Sequence, residues 1–94
     1  MKAVVLYTMD GCPHCINMKE QLRANDIDFL ERNINEHEKE YDSFVKATEN
    51  EYLPAFTLLE IDDEKNAKNI VLMAPDRDYN DINEAIDKVK KYLL

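Results

Sequence analysis

The sequence predicts an α/β fold of order β-α-β-α-β-β-α, a mixed four-stranded sheet flanked by helices, formed as one domain over residues 1–94. Three observations carry this reading. Segments rich in β-branched and aromatic residues alternate with segments whose apolar residues recur at helical spacing. The last two strand-like segments are separated only by the polar stretch Asp62–Lys68, too short for a parallel crossover, so they form an antiparallel hairpin. The chain has 94 residues with no repeat, low-complexity tract or Gly/Ser linker, which suits one domain and not two.

Each element has its own signature. Ala3–Tyr7 is continuous, apolar and β-branched, as a strand buried on both faces must be. Thr8–Gly11 is a loop holding the single glycine. Pro13 suits a first helical turn, where its missing N–H costs nothing, and Cys15, Met18 and Leu22 then give one helical face as far as about Ala24. Asn25-Asp26 ends that helix, and Ile27–Ile34 reads as a second strand. Asn35 is the expected cap of a second helix, with Glu36 and Glu38 at the positive end of its dipole and Tyr41, Phe44, Val45 and Thr48 facing inward. Glu49-Asn50-Glu51 and Leu53-Pro54 precede a third strand, Ala55–Ile61, and a fourth over Asn69–Ala74. Asp81 with Glu84 resembles a capping box before a last helix lined by Ile82, Ala85, Ile86, Val89 and Leu93. The first three strands, joined through helices, are expected to be mostly parallel.

Composition narrows the function. Acidic residues number 20 and basic ones 12, a formal charge of −8. Phosphate neutralisation needs clustered Lys and Arg, so this charge argues against nucleic acid and anionic membrane surfaces as partners. The longest apolar runs, Ala3–Tyr7 and Ile70–Ala74, fall far short of the roughly 20 residues of a membrane span. Behind Lys2 the apolar stretch is shorter than a signal-peptide core and no small-residue cleavage site follows, so the chain reads as cytoplasmic.

The chemistry lies in Cys12-Pro13-His14-Cys15, which holds both cysteines of the chain. A cysteine at a helix start meets unpaired N–H groups and the positive end of the dipole, which favour thiolate over thiol. Cys12 occupies that place, just outside Pro13, as the exposed nucleophile. Cys15 lies about one turn further in, more buried and close enough to form a disulfide with it. His14 as imidazolium would stabilise the thiolate further, and Asp10 would oppose it. Other uses of the pair are half a zinc site, for which only His14, His37 and carboxylates remain as ligands, a structural disulfide, or two packed thiols. A c-type haem motif fails because Ile16 stands where His is required.

Taken together, Gly11-Cys12-Pro13-His14-Cys15 after a first strand, Leu53-Pro54 before the third, and a final helix after a β-hairpin resemble a glutaredoxin, a small member of the thioredoxin-fold superfamily. The resemblance implies a thioredoxin-like fold and thiol–disulfide exchange, with Cys12 attacking and Cys15 resolving, and no bound cofactor. It implies glutathione as electron donor and disulfide-containing client proteins, among which a ribonucleotide reductase is a family-level example, served by a monomer. It also implies a cis Pro54 facing the cysteines, with the Leu53 backbone offered to an extended substrate. Tyr7 is implied as an aromatic flank, equally readable as core. Asn80 and Asp81 fall at the helix start that holds the γ-glutamyl end of glutathione in the family, and Arg77 can supply a cation for a carboxylate.

The chain departs from the family pattern at three points. His14 replaces a common Tyr, Thr8-Met9-Asp10 offers no basic residue shortly before Cys12, and the Gly-Gly before the last helix is absent from Pro75–Asp81. Two rival readings follow. One is a thioredoxin-like protein disulfide reductase served by a flavin reductase. The other is a module binding an iron–sulfur cluster between two subunits through Cys12 and glutathione.

Overall fold

The computed structural model covers all 94 residues. Its first strand, β1 (Lys2–Thr8), is apolar on both faces and so divides the interior in two. On one side Val4 and Leu6 pack with Met18 and Leu22 of α1 (Pro13–Ala24) and with Ala85, Ile86 and Val89 of α3 (Ile82–Leu93). On the other, Val5 and Tyr7 pack with Tyr41 and Phe44 of α2 (Glu38–Thr48). The remaining strands are β2 (Leu30–Asn33), β3 (Ala55–Ile61) and β4 (Ala67–Met73), and the order β-α-β-α-β-β-α is the one expected from the sequence.

The sheet runs β2-β1-β3-β4. β1 and β2 are parallel and β3–β4 is an antiparallel hairpin, as expected. The expectation of three mostly parallel strands fails at β3, which is antiparallel to β1. The register gives the reason. Thr8 pairs with Asn33 at the end of β2, and Tyr7 pairs with Ala55 at the start of β3. The connection through α2 therefore leaves and re-enters the sheet at the same end, and a strand starting there has to run back against β1.

Two boundaries also shift. Ile27 is not the start of a strand but the closing residue of a helix C-terminal motif. Asp26 adopts φ 55° and its N–H donates to the Arg23 carbonyl, while the Ile27 N–H donates to the Leu22 carbonyl at 2.9 Å. This satisfies carbonyls that α1 would otherwise leave open and tucks Ile27 against Leu22 in the core. The cap of α2 is His37, without a side-chain hydrogen bond, and not Asn35. The Asn35 N–H is instead turned onto the Asn33 side chain at 2.9 Å. The expected Asp81 cap holds, its carboxylate accepting the Glu84 N–H at 2.8 Å. No helix is long and apolar enough to cross a membrane.

Buried tyrosines make this fold sensitive to alkali. Burial pushes the Tyr7 phenol up from 10.0 to about 12, against a smaller opposing effect of the hydrogen bond from Thr57. A phenol that ionises more readily when unfolded contributes stability below pH 10 that is lost as the pH rises toward 12. Urea midpoints should hold to about pH 9.5 and then fall, with Tyr7 contributing about 1.4 kcal/mol per pH unit over that window. Tyr7→Phe should make the fall shallower. Midpoints flat from about pH 9 to pH 11.5 contradict this origin.

Candidate active site

The turn between β1 and α1 is set by backbone conformation before any side chain acts. Gly11 sits at φ 72°, a region that costs glycine little, and reverses the chain so that α1 can begin at Pro13. Hydrogen bonds hold the turn to β2. The Ile34 N–H donates to the Thr8 carbonyl at 2.9 Å and the Asn33 amide donates to Asp10 at 3.0 Å. The Thr8 hydroxyl donates to Glu31 at 2.7 Å, which, with Lys19 assisting at 3.1 Å, holds that carboxyl below the usual carboxylate range. The Asp10 carboxylate expected to oppose a Cys12 thiolate is thus engaged by Asn33.

Cys12 is the N-cap of α1. Its sulfur accepts the Cys15 N–H at 3.2 Å, one of the first-turn amides left without a partner inside the helix. A negative sulfur is the better acceptor for that N–H, and the dipole of a twelve-residue helix acts in the same sense. The two cysteines are joined in a disulfide with their Cα atoms 5.2 Å apart, inside the range that bridging requires. Cys12 is less exposed than a freely accessible nucleophile, at 8%, and Cys15 is at 1%. The asymmetry between them has the expected direction but is small, because Cys12 lies in the helix-capping position and its sulfur is turned toward the first turn.

A cavity of about 310 Å³ opens beside this first turn. α1 contributes His14 and Met18, and the loop before β3 contributes Tyr52, Leu53 and Pro54. The stretch leading into α3 contributes Pro75, Asp76, Tyr79, Asn80, Asp81 and Ile82. The Leu53–Pro54 peptide bond is cis. Neither the N–H nor the carbonyl of Leu53 takes an intramolecular hydrogen bond. Opposite walls of the cavity are tied together. The Asn50 amide donates to the Pro75 carbonyl at 2.8 Å, and the buried Tyr79 hydroxyl donates to the Pro54 carbonyl. Burial keeps the Tyr79 phenol protonated, so it remains a donor.

The structure therefore brings His14, Leu53, Pro54, Asn80 and Asp81 to one cavity next to Cys12 and Cys15, with Pro13 opening the helix. Two other candidates lie elsewhere. Tyr7 is 3% exposed and its ring packs on Tyr41 and Phe44 at centroid distances of 5.7 and 5.1 Å, on the α2 side of the sheet. Arg77 turns onto Asp78 at 2.7 Å and does not line the cavity. Tyr52, Asp76 and Tyr79 were not anticipated. For Tyr79 the signal was present, a lone aromatic inside an otherwise polar loop. No group of three or more His, Cys, Asp or Glu side chains is arranged to hold a metal ion.

A cysteine pair at the N-terminus of the first helix, beside a cis-proline loop on a four-stranded mixed sheet, defines a thiol–disulfide oxidoreductase of thioredoxin-like fold. Solved structures agree on the fold. The chain is similar to the thioredoxin-like protein BC3987, with TM-score 0.55 and 19% identity over 95% of this chain and 97% of that one. A mutant of the same protein gives TM-score 0.55 and 19% identity over 97% and 99% of the two chains. A malarial protein gives TM-score 0.54 and 16% identity over 100% and 99%. The glutaredoxin family model matches residues 4–58, which include the cysteine pair and the cis proline. The chain belongs to the glutaredoxin family. No curated protein sequence matches it.

Proposed function

We propose that the protein reduces disulfides of client proteins and glutathione mixed disulfides, with glutathione restoring the dithiol. The observation that carries this reading is the bond from the Cys15 N–H to the Cys12 sulfur, because it favours the reduced, ionised form of the residue that attacks. The Cys12 thiolate attacks one sulfur of a substrate disulfide, forms a mixed disulfide, and releases the other substrate sulfur as a thiolate that takes up a proton. The Cys15 thiol, losing its proton, attacks the Cys12 sulfur and expels the second substrate thiolate. Two electrons have then passed to the substrate, and Cys12–Cys15 is oxidised as in this structure. Two glutathione molecules reverse the change by the same exchange and leave as glutathione disulfide.

The free Leu53 N–H and carbonyl support the substrate half of this reading, since an extended peptide or the glutathione backbone can pair with them as a short added strand. Asp81 at the start of α3 supports a contact with the γ-glutamyl ammonium. Thr8-Met9-Asp10 places no cation beside Cys12 to meet a glutathione carboxylate, so the identity of the donor is the part to test. A glutathione-coupled disulfide assay, run beside one driven by thioredoxin reductase, decides it. Turnover with glutathione and glutathione reductase is the expected result. Turnover with thioredoxin reductase alone replaces the donor by the flavin-reductase route and leaves the dithiol chemistry intact.

A further inference from the structure

The charge lining the cavity does not suit a typical glutathione site. Its walls carry two carboxylates, Asp76 and Asp81, and no Lys or Arg. Asp76 is exposed at the cavity, and its carboxylate takes no hydrogen bond and no ion pair. The cations within reach in sequence are used elsewhere. Arg77 pairs with Asp78 at 2.7 Å, and the Lys88 ammonium donates to the Asp78 carbonyl. Tyr52, 63% exposed on the facing wall, offers a free aromatic face. Asp81 accepts the Glu84 N–H as the cap of α3 and has no cation beside it. A site with these carboxylates, an open aromatic ring and free backbone groups at Leu53 lacks one component, a positive charge on the ligand.

We infer that the cavity selects client segments in which a Lys or Arg flanks the disulfide cysteine, with Asp76 and Asp81 as specificity-determining carboxylates. This rests on the disulfide exchange proposed above and adds the class of substrate. The client backbone pairs with Leu53 while its cationic side chain lies between the Tyr52 ring and the Asp76 carboxylate, combining a cation–π contact with charge pairing. A client with Glu at that position meets like charge. Glutathione has one ammonium to suit Asp81, but its two carboxylates meet like charge at these walls, so it acts as a weakly held donor. The redox balance is that of the exchange already written: the client disulfide gains two electrons and becomes two thiols, and Cys12 and Cys15 lose two and become the disulfide.

The test removes the donor from the experiment. The protein is reduced with dithiothreitol, freed of it, and mixed with a synthetic peptide disulfide in a single turnover. Oxidation of Cys12 and Cys15 is read by acid quench, alkylation and mass. Two peptides are compared, identical except for Lys or Glu beside the cysteine. The Lys peptide should react roughly tenfold faster at low salt, and the ratio should shrink between about 0.02 M and 0.5 M salt as screening sets in. Asp76→Asn and Asp81→Asn should each reduce the ratio several-fold. Asn tolerates the left-handed backbone of residue 76, at φ 64°, and caps a helix as well as Asp does, so each variant keeps the local fold. Equal rates for the two peptides, or a ratio that neither variant moves, overturn the inference. If neither peptide oxidises the cysteines, the proposed exchange itself fails and the inference with it, a result distinct from equal finite rates.

Discussion

Cys12→Ser is expected to abolish reduction of every disulfide substrate, by on the order of 1000-fold or more, because it removes the attacking sulfur itself. Cys15→Ser is expected to divide the substrates. Glutathione mixed disulfides need only Cys12 and a second glutathione, so their reduction persists. Intramolecular protein disulfides need Cys15 to release the trapped client, so their turnover stops. Mass spectrometry of the Cys15→Ser protein should then show a covalent adduct of the protein and its client that dithiothreitol resolves. The geometry gives this variant a fair trial, because the N–H that reaches the Cys12 sulfur belongs to the backbone of residue 15 and survives the substitution. Catalytic protein-disulfide turnover by Cys15→Ser, or activity remaining in Cys12→Ser, defeats the assignment of roles.

The parts of this molecule that were legible in the sequence are those fixed by local rules. The apolar run Ala3–Tyr7 implied a strand covered on both faces, and α1 and α3 on one side with α2 on the other cover it. Pro13 implied a helix start with Cys12 just outside it, and Cys12 is the residue that caps α1. What was not legible depends on where a connection begins and ends in space. Helical linkage to β3 is compatible with either strand direction, and only the shared end of β2 and β3 makes β3 antiparallel to β1. Ile27 and Phe29 carry the alternation of a strand, yet the turn at Asp26 commits Ile27 to closing α1. The cavity was half legible for the same reason. Leu53 and Pro54 are marked by the proline, but Asp76 and Tyr79 reach the site only because the loop after β4 folds back, with the Asp76 N–H on the Tyr79 carbonyl at 2.8 Å. Arg77, promising by charge, is drawn off by its neighbour Asp78.

The link between the core and the cavity predicts the largest loss of stability. Phe56 is fully buried in β3, pairs across the sheet with Leu6 and Met73, and meets the Tyr79 ring edge-on at 6.2 Å. Phe56→Ala leaves a void among Leu6, Met73 and Tyr79 and should cost about 3–5 kcal/mol. A domain of this size has a net stability of roughly 5–10 kcal/mol. With a urea slope of about 1.5 kcal/mol per molar, the midpoint should fall by about 2–3 M. Tyr79→Phe separates the packing contribution from the polar one. It keeps the ring against Phe56 and removes only the hydroxyl that donates to the Pro54 carbonyl, leaving that buried acceptor unpaired at a cost of about 1–3 kcal/mol. The two variants should therefore rank in that order by urea midpoint. Phe56→Ala should weaken activity only as far as it unfolds the protein. Tyr79→Phe, by freeing the wall that presents Leu53, should raise KM for peptide disulfides more than it lowers kcat. A smaller midpoint shift for Phe56→Ala than for Tyr79→Phe would mean that the core relaxes around position 56, and that the hydrogen bond to Pro54 holds the two halves of the cavity together more firmly than the packing beneath it.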